Sequence, residues 1–223
     1  MGQNLPGIEE VASNLRAMLD RAVRDNPAQG VLLSGGLDTS IVALLAKRYV
    51  RDLKAFTVSL EGYDNDLGYA RMVADFLKID HRVYLFTASE AAEAAVRAIE
   101  VLHSGEYQGE IPPFIRENVP PDLLEDVGLT AFAPLYIAMK FASEKVRSIY
   151  TGDGADELFI GYGSLVGFID HIASFDDEFS QRMLRGLENE LSLRGYDMRY
   201  PYIIGSSLGL KVKAPFLTPG VAE

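Results

Sequence analysis

Apolar residues recur at helical spacing near the start of the chain. Ile8, Val11, Ala12, Leu15, Met18, Leu19 and Ala22 fall on one stripe between Pro6-Gly7 and Asn26-Pro27. That spacing predicts an amphipathic helix over Ile8 to Asp25, packed on a sheet. The pattern then changes. Val31-Leu32-Leu33 is a short continuous apolar run, as in a strand covered on both faces. Ser34-Gly35-Gly36 breaks the run, and Ile41, Leu44 and Leu45 resume helical spacing. Lys54 to Leu60 and Asp80 to Phe86 read as a second and a third strand. Between them, Gly68 to Lys78 carries Tyr69, Met72, Val73, Phe76 and Leu77 at helical spacing. Thr87 and Glu90 offer a capping box for an alanine-rich helix that ends near His103, with Gly105 as its stop. Thr130 to Lys145 is again helical, with Leu135, Ala138, Met139 and Ala142 as the buried stripe, and Arg147 to Thr151 reads as a fourth strand. The alternation predicts an α/β fold built on a doubly wound parallel sheet.

Two stretches depart from that rhythm. Ser104 to Gly128 holds Pro112, Pro113, Pro120 and Pro121 and reads as a long loop, functional or mobile. From Leu165 onward the pattern is mostly helical, with Phe179, Met183, Leu184, Leu187 and Leu191 on one face and a compact apolar segment from Leu208 to Leu217. The expected organisation is therefore an α/β core over residues 1–163, with a loop insertion near 104–128, and a mostly helical extension of the same domain over 164–223.

The 223 residues suit one domain, and 48% hydrophobic content is ample for its core. No apolar run is long enough for a membrane span, and the N-terminus lacks the basic and apolar regions of a signal peptide, so a cytoplasmic protein is expected. The chain has no cysteine, which rules out disulfides, thiolate metal sites and cysteine nucleophiles. A formal charge of −11 argues against nucleic acid as a partner. His81, His103 and His171 are scattered without metal-ligand spacing and read as structural or surface residues.

The candidate chemistry lies in two glycine turns. The turn of Ser34, Gly35, Gly36, Leu37, Asp38, Thr39 and Ser40 joins the first strand to a helix. Backbone N–H groups of such a turn and of the first helical turn converge, and the hydroxyls of Ser34, Thr39 and Ser40 add donors. This is an anion site, with phosphate the expected anion. Asp38 would repel a phosphate unless a cation lies between them, and Mg²⁺ binds in this manner. The alternative is that Asp38 only caps the helix. No lysine follows at Walker A spacing. The second turn, Thr151-Gly152-Asp153-Gly154-Ala155-Asp156-Glu157, follows the fourth strand and brings three carboxylates, Asp153, Asp156 and Glu157. Ligands of open parallel sheets gather at the carboxyl ends of strands, so both turns should face one crevice. A solvated acidic turn is the competing reading; apolar Ile149-Tyr150 and Leu158-Phe159-Ile160 on either side count against it.

Ser-Gly-Gly-Leu-Asp-Thr-Ser resembles the pyrophosphate loop of the N-type ATP pyrophosphatases. With Gly152-Asp-Gly-Ala-Asp-Glu-Leu-Phe-Ile-Gly-Tyr162 downstream, the chain is similar to the synthetase domain of asparagine synthetases and their β-lactam synthetase relatives. Ala70-Arg71 through His81, Ala133-Pro134-Leu135-Tyr136, Asp197-Met198-Arg199 and Gly209 to Leu217 extend the likeness. The resemblance implies ATP and Mg²⁺ as cofactors. Ser34, Gly35, Gly36, Asp38, Thr39 and Ser40 would hold the pyrophosphate end of ATP. Leu33, Val58 and Gly152 would touch adenosine, and Asp38 and Asp156 would bind the metal. Asp153 stands where the family has an acid needed to form the adenylate, and Asp38 and Glu157 complete the expected catalytic set. The implied activity is an AMP-forming amide ligase. It would activate a small-molecule carboxylate, aspartate being one candidate, and transfer it to ammonia or an amine. A related enzyme adenylating another acceptor, and a non-catalytic nucleotide-binding subunit, are the alternatives.

Three departures accompany the likeness. The family's full-length enzymes carry a glutaminase domain whose nucleophile is an N-terminal cysteine; with no cysteine here, glutamine hydrolysis is not expected on this chain, and a separate glutaminase is one candidate partner. Thr218 replaces the aspartate usual after Pro-Phe-Leu. The chain ends at Glu223, short of the family's C-terminal helices and their phosphate-contacting lysine; either another residue supplies that charge or activity is impaired. A homodimer is left open.

Overall fold

The computed structural model describes residues 7–63, 66–107, 111–112, 129–159, 161 and 199–222. In chain order these form α1 (Ile8–Asp25), β1 (Gly30–Leu32), α2 (Leu37–Ala46), β2 (Lys54–Leu60), α3 (Leu67–Leu77), β3 (Asp80–Phe86) and α4 (Ala88–Ser104). There follow α5 (Leu129–Ser143), β4 (Ser148–Tyr150), α6 (Ala155–Phe159), α7 (Tyr200–Ser207), β5 (Lys211–Lys213), a 3₁₀ turn (Pro215–Leu217) and α8 (Pro219–Ala222). All five described strands are parallel, in the order β3-β2-β1-β4-β5. The α/β doubly wound sheet expected from the sequence is therefore present. Most of the predicted loop over 104–128, and the helix carrying Phe179 to Leu191, lie outside the described residues.

Alternating strand residues feed two cores, as a sheet covered on both faces requires. Val31, Leu33, Ala55 and Tyr150 pack with α1, α2 and α3. Phe56, Ile149 and Val212 pack with α4, α5 and α7. Tyr150 is fully buried, and its hydroxyl donates to the Val23 carbonyl at 3.0 Å, tying the sheet to α1. The Thr87–Glu90 capping box forms as predicted, and Gly105 closes α4 with a φ of 72°. Among the described residues no helix is long and apolar enough to cross a membrane.

Three expectations are corrected. The segment from Leu208 to Leu217, read only as apolar in a helical region, contributes β5 beside β4, with Ile149 opposite Val212. In α3, the residues read as its apolar stripe divide: Tyr69, Met72 and Phe76 stand exposed and Val73 and Leu77 pack partly buried on the core, while the buried residues, Leu67, Ala70 and Ala74, lie outside that stripe. Small residues let this helix approach the turn after β1 closely. In α1, Ile8 and Val11 are exposed, and burial is confined to Leu19, Ala22 and Val23.

Candidate functional site

The sheet order reverses between β1 and β4, since β1 leads outward to β2 on one side and β4 to β5 on the other. Chain connections leave a crevice at such a switch point, outside the carboxyl ends of the strands. Both glycine turns open there. They also touch: a Cβ built on Gly152 would lie 3.0 Å from Thr39 Cγ2 and 3.2 Å from Asp38 Cβ. Gly152 is thus a contact between the two turns. Gly35, with a φ of 87°, sits so close to α3 that a Cβ there would lie 2.4 Å from the Ala70 nitrogen. Its missing side chain makes room for α3. Gly154, with a φ of 94°, likewise rests on Leu217 and Phe216.

The first turn is organised by its own hydroxyls. Ser34 Oγ lies 3.0 Å from Thr39 Oγ1, the Ser34 amide donates to Thr39 Oγ1 at 3.3 Å, and the Gly36 amide donates to Ser34 Oγ at 3.2 Å. Ser40 Oγ donates to the Gly36 carbonyl at 2.6 Å. Gly36 is the N-cap of α2 and no side chain caps the helix. The first amides of α2 therefore have no capping side chain, and such groups with the helix dipole favour an anion. Asp38 is inside the first turn of α2, so it is not the cap.

Burial raises the Asp38 carboxyl above the usual carboxylate range. The Asp156 charge raises it further and Glu157 adds to the push, while a bond from Asp38's own backbone works the other way. Like charges held together in this manner call for a cation. The Asp156 carboxylate lies over Gly161, where a Cβ would meet Asp156 Oδ1 at 1.9 Å. Asp153 stands beside α7 instead. The Tyr202 phenol is pushed up by burial first and by the Asp153 charge second, against a bond with the Ala214 backbone. The structure thus brings Asp38, Asp156 and Glu157 together and sets Asp153 on the β5 side of the crevice. Among the described residues no three His, Asp or Glu side chains close on one metal position. Two neighbouring carboxylates beside a helix N-terminus are nevertheless a donor set that suits Mg²⁺, which keeps waters and substrate phosphates as its other ligands.

On the other side of β1 a cavity of about 560 Å³ opens over the ends of β2 and β3, lined by Ser34, Thr57, Val58, Leu60, Phe86 and Pro134 among others. The Leu33 side chain is in the core at 1% exposure, so only its backbone can face a ligand. Thr57, which also lines this cavity, has its hydroxyl 2.7 Å from His81 Nε2. Its mark in the sequence is a lone hydroxyl in the run Ala55-Phe56-Thr57-Val58. Thr218 folds back, donating to the Pro215 carbonyl at 2.6 Å.

The structure is thus an α/β protein with an open parallel sheet and two glycine turns meeting at its switch point, where ligands of such sheets gather. The family model for asparagine synthase matches residues 10–195. The chain is 32% identical over 212 residues to a glutamine-hydrolyzing asparagine synthetase of Triphysaria versicolor and 31% identical over 212 residues to one of Zea mays. Those alignments cover 91% of this chain and 31% of each relative. A probable glutamine-hydrolyzing asparagine synthetase of Dictyostelium discoideum is 28% identical over 230 residues, 96% of this chain and 36% of that protein. The chain belongs to the asparagine synthase family, and it spans about a third of the length of these relatives.

Proposed function

We propose that the chain is an ATP-dependent amide ligase that releases AMP and pyrophosphate. One observation carries this reading: the uncapped turn after β1 and the acidic turn after β4 meet at Gly152, so an anion cradle and the Asp38–Asp156 carboxylates share one crevice. In the proposed reaction a carboxylate oxygen of the acceptor attacks the α-phosphorus of ATP. The bond from the α-phosphorus to the bridging oxygen breaks, and pyrophosphate leaves into the Ser34–Ser40 turn. The nitrogen of ammonia or an amine then attacks the acyl carbon, loses a proton and displaces AMP.

Asp38 and Asp156 would hold Mg²⁺, which neutralises phosphate charge when bound. The chain's own part is to position and to exclude water. Backbone amides of the turn and of the α2 N-terminus hold the leaving group. The cavity beside Val58 takes the nucleoside. Asp153, on the β5 side, faces the acceptor and the forming bond. Aspartate is the first acceptor to try and ammonia the first donor, because the named relatives are asparagine synthetases.

The test is chromatography of nucleotide products with Mg²⁺, ATP, aspartate and ammonia, then with other carboxylates. AMP that appears only with an acceptor supports the ligase. Acceptor-dependent ADP overturns it, and absence of turnover with every acceptor, alongside retained ATP binding, points to a nucleotide-binding subunit.

A further inference from the structure

The ladder between β1 and β2 ends at Leu32 opposite Phe56, yet the next residue, Leu33, is held at both its amide and its carbonyl. The Leu33 amide donates to the Phe56 carbonyl at 2.9 Å. The Leu33 carbonyl lies 2.5 Å from Thr57 Oγ1, and Thr57 is 6% exposed. Two oxygens this close need a proton between them, and the only one available belongs to the hydroxyl. Thr57 therefore donates to Leu33. Its one proton is then used, so at 2.7 Å from His81 Nε2 it accepts a hydrogen bond from the imidazole N–H. His81 on β3, Thr57 on β2 and Leu33 at the end of β1 make one directed chain across three strands.

The far end of this chain reaches the turn through covalent geometry. The Leu33 carbonyl and the Ser34 amide belong to one planar trans peptide, so fixing the direction of the oxygen fixes that of the N–H. The Ser34 amide is the first donor of the glycine turn and is directed at Thr39 Oγ1 at 3.3 Å. We infer that Thr57, held by His81, is a positioning residue that sets the Ser34 peptide and through it the donor arrangement of the anion turn. Thr57 also lines the neighbouring cavity, so it stands between the two halves of the proposed nucleotide site. The ligand arm of the test rests on the ligase reading; the peptide arm does not.

Thr57→Val keeps the shape and removes the proton, Thr57→Ser keeps the proton, and His81→Leu removes the donor behind it. The first readout is the Ser34 amide resonance by NMR, without ligand. It should move in Thr57→Val, move less in His81→Leu, and return in Thr57→Ser. The second readout is Mg·ATP affinity by calorimetry. A loss of roughly tenfold in Thr57→Val corresponds to one hydrogen bond. Thr57→Ser should stay close to the parent protein, and His81→Leu should cause no further loss once Thr57 is valine. A Thr57→Val protein with an unmoved Ser34 amide, or with unchanged affinity despite lowered stability, overturns the inference. If Thr57→Val does not fold, His81→Leu carries the same test: an unmoved Ser34 amide there is a refutation. A parent protein that binds no Mg·ATP counts against the ligase reading, while the amide readout still decides the role of Thr57.

Discussion

Gly35 and Gly36 are adjacent and look equivalent in sequence, yet alanine at each should have opposite consequences. At Gly35 a side chain would sit at a φ of 87°, with its Cβ 2.4 Å from the Ala70 nitrogen and 2.7 Å from Tyr69 Cβ. Left-handed backbone strain contributes about 1–2 kcal/mol of destabilisation. Overpacking against α3 backbone adds about 1–3 kcal/mol, because a helix cannot rotate away as a side-chain tip can. Reduced freedom of the unfolded chain returns about 0.4–1 kcal/mol. The net loss is about 2–4 kcal/mol, or roughly 5–15 °C in melting temperature for a domain of this size. Gly36 has a φ of −67° and a ψ of 166°, open to any residue, and its Cβ would meet only Ser34 Oγ at 3.3 Å. Stability in Gly36→Ala should stay within about 1 kcal/mol, since a weaker N-cap and a stiffer unfolded chain offset each other. Its added methyl stands at the uncapped end of α2, so Mg·ATP affinity should fall about tenfold or more. Urea unfolding followed by circular dichroism reads the first effect and calorimetry the second. Equal stabilities for the two variants would refute the assignment of Gly35 to α3 and Gly36 to the ligand side.

Asp38→Asn and Asp156→Asn should each slow acceptor-dependent AMP formation by about 2.7–4 kcal/mol of transition-state stabilisation, with much smaller effects on unfolding; unchanged pyrophosphate exchange in both would remove them from the site. Because burial and Asp156 raise the Asp38 carboxyl, its protonated form persists to higher pH than for an ordinary aspartate. Its unfavourable contribution to folding is absent below the unfolded-state range near pH ~3.9 and complete above its raised folded-state value. In Asp156→Asn the Asp38 titration, followed by carboxyl NMR, should therefore move down in pH. Tyr150→Phe loses the 3.0 Å bond to Val23 and leaves a buried carbonyl, for a loss of about 1–3 kcal/mol in denaturant unfolding. Thr87→Ala removes half of the α4 capping box and should lower stability by about 1 kcal/mol, measured in the same way.

Much of the frame was legible because its signals are local. The bounds of α1, β2 and β3 follow from periodicity and flanking turn residues, and both glycine turns could be read as strand ends. What escaped depends on distance. Lys211–Lys213 is a three-residue strand with charged ends, and only its pairing with Ser148–Tyr150 makes it one. The exposed face of α3 carries Tyr69, Met72 and Phe76, because close approach to Gly35 selects Ala70 and Ala74 for the buried side. Three acids in seven residues read as one cluster, yet the start of α6 keeps Asp156 and Glu157 near Asp38 and leaves Asp153 beside Tyr202. Nothing in the spacing of His81 and Thr57 announces that they meet, since their contact follows from strand register.

The resting of Gly154 on Leu217 and Phe216 has a consequence for how the protein comes into being. A chain emerging from the ribosome can pair β1, β2 and β3 early, since these follow one another closely. The acidic turn has its footing only after Phe216 and Leu217 have been made, and β4 gains its outer neighbour only with β5. Contacts so far apart in the chain form late, because a long loop must close before they yield any free energy. The turn after β1, Asp38 included, is thus available to a nascent chain before the acidic turn after β4 has its footing, so the crevice forms only once β5 lies beside β4.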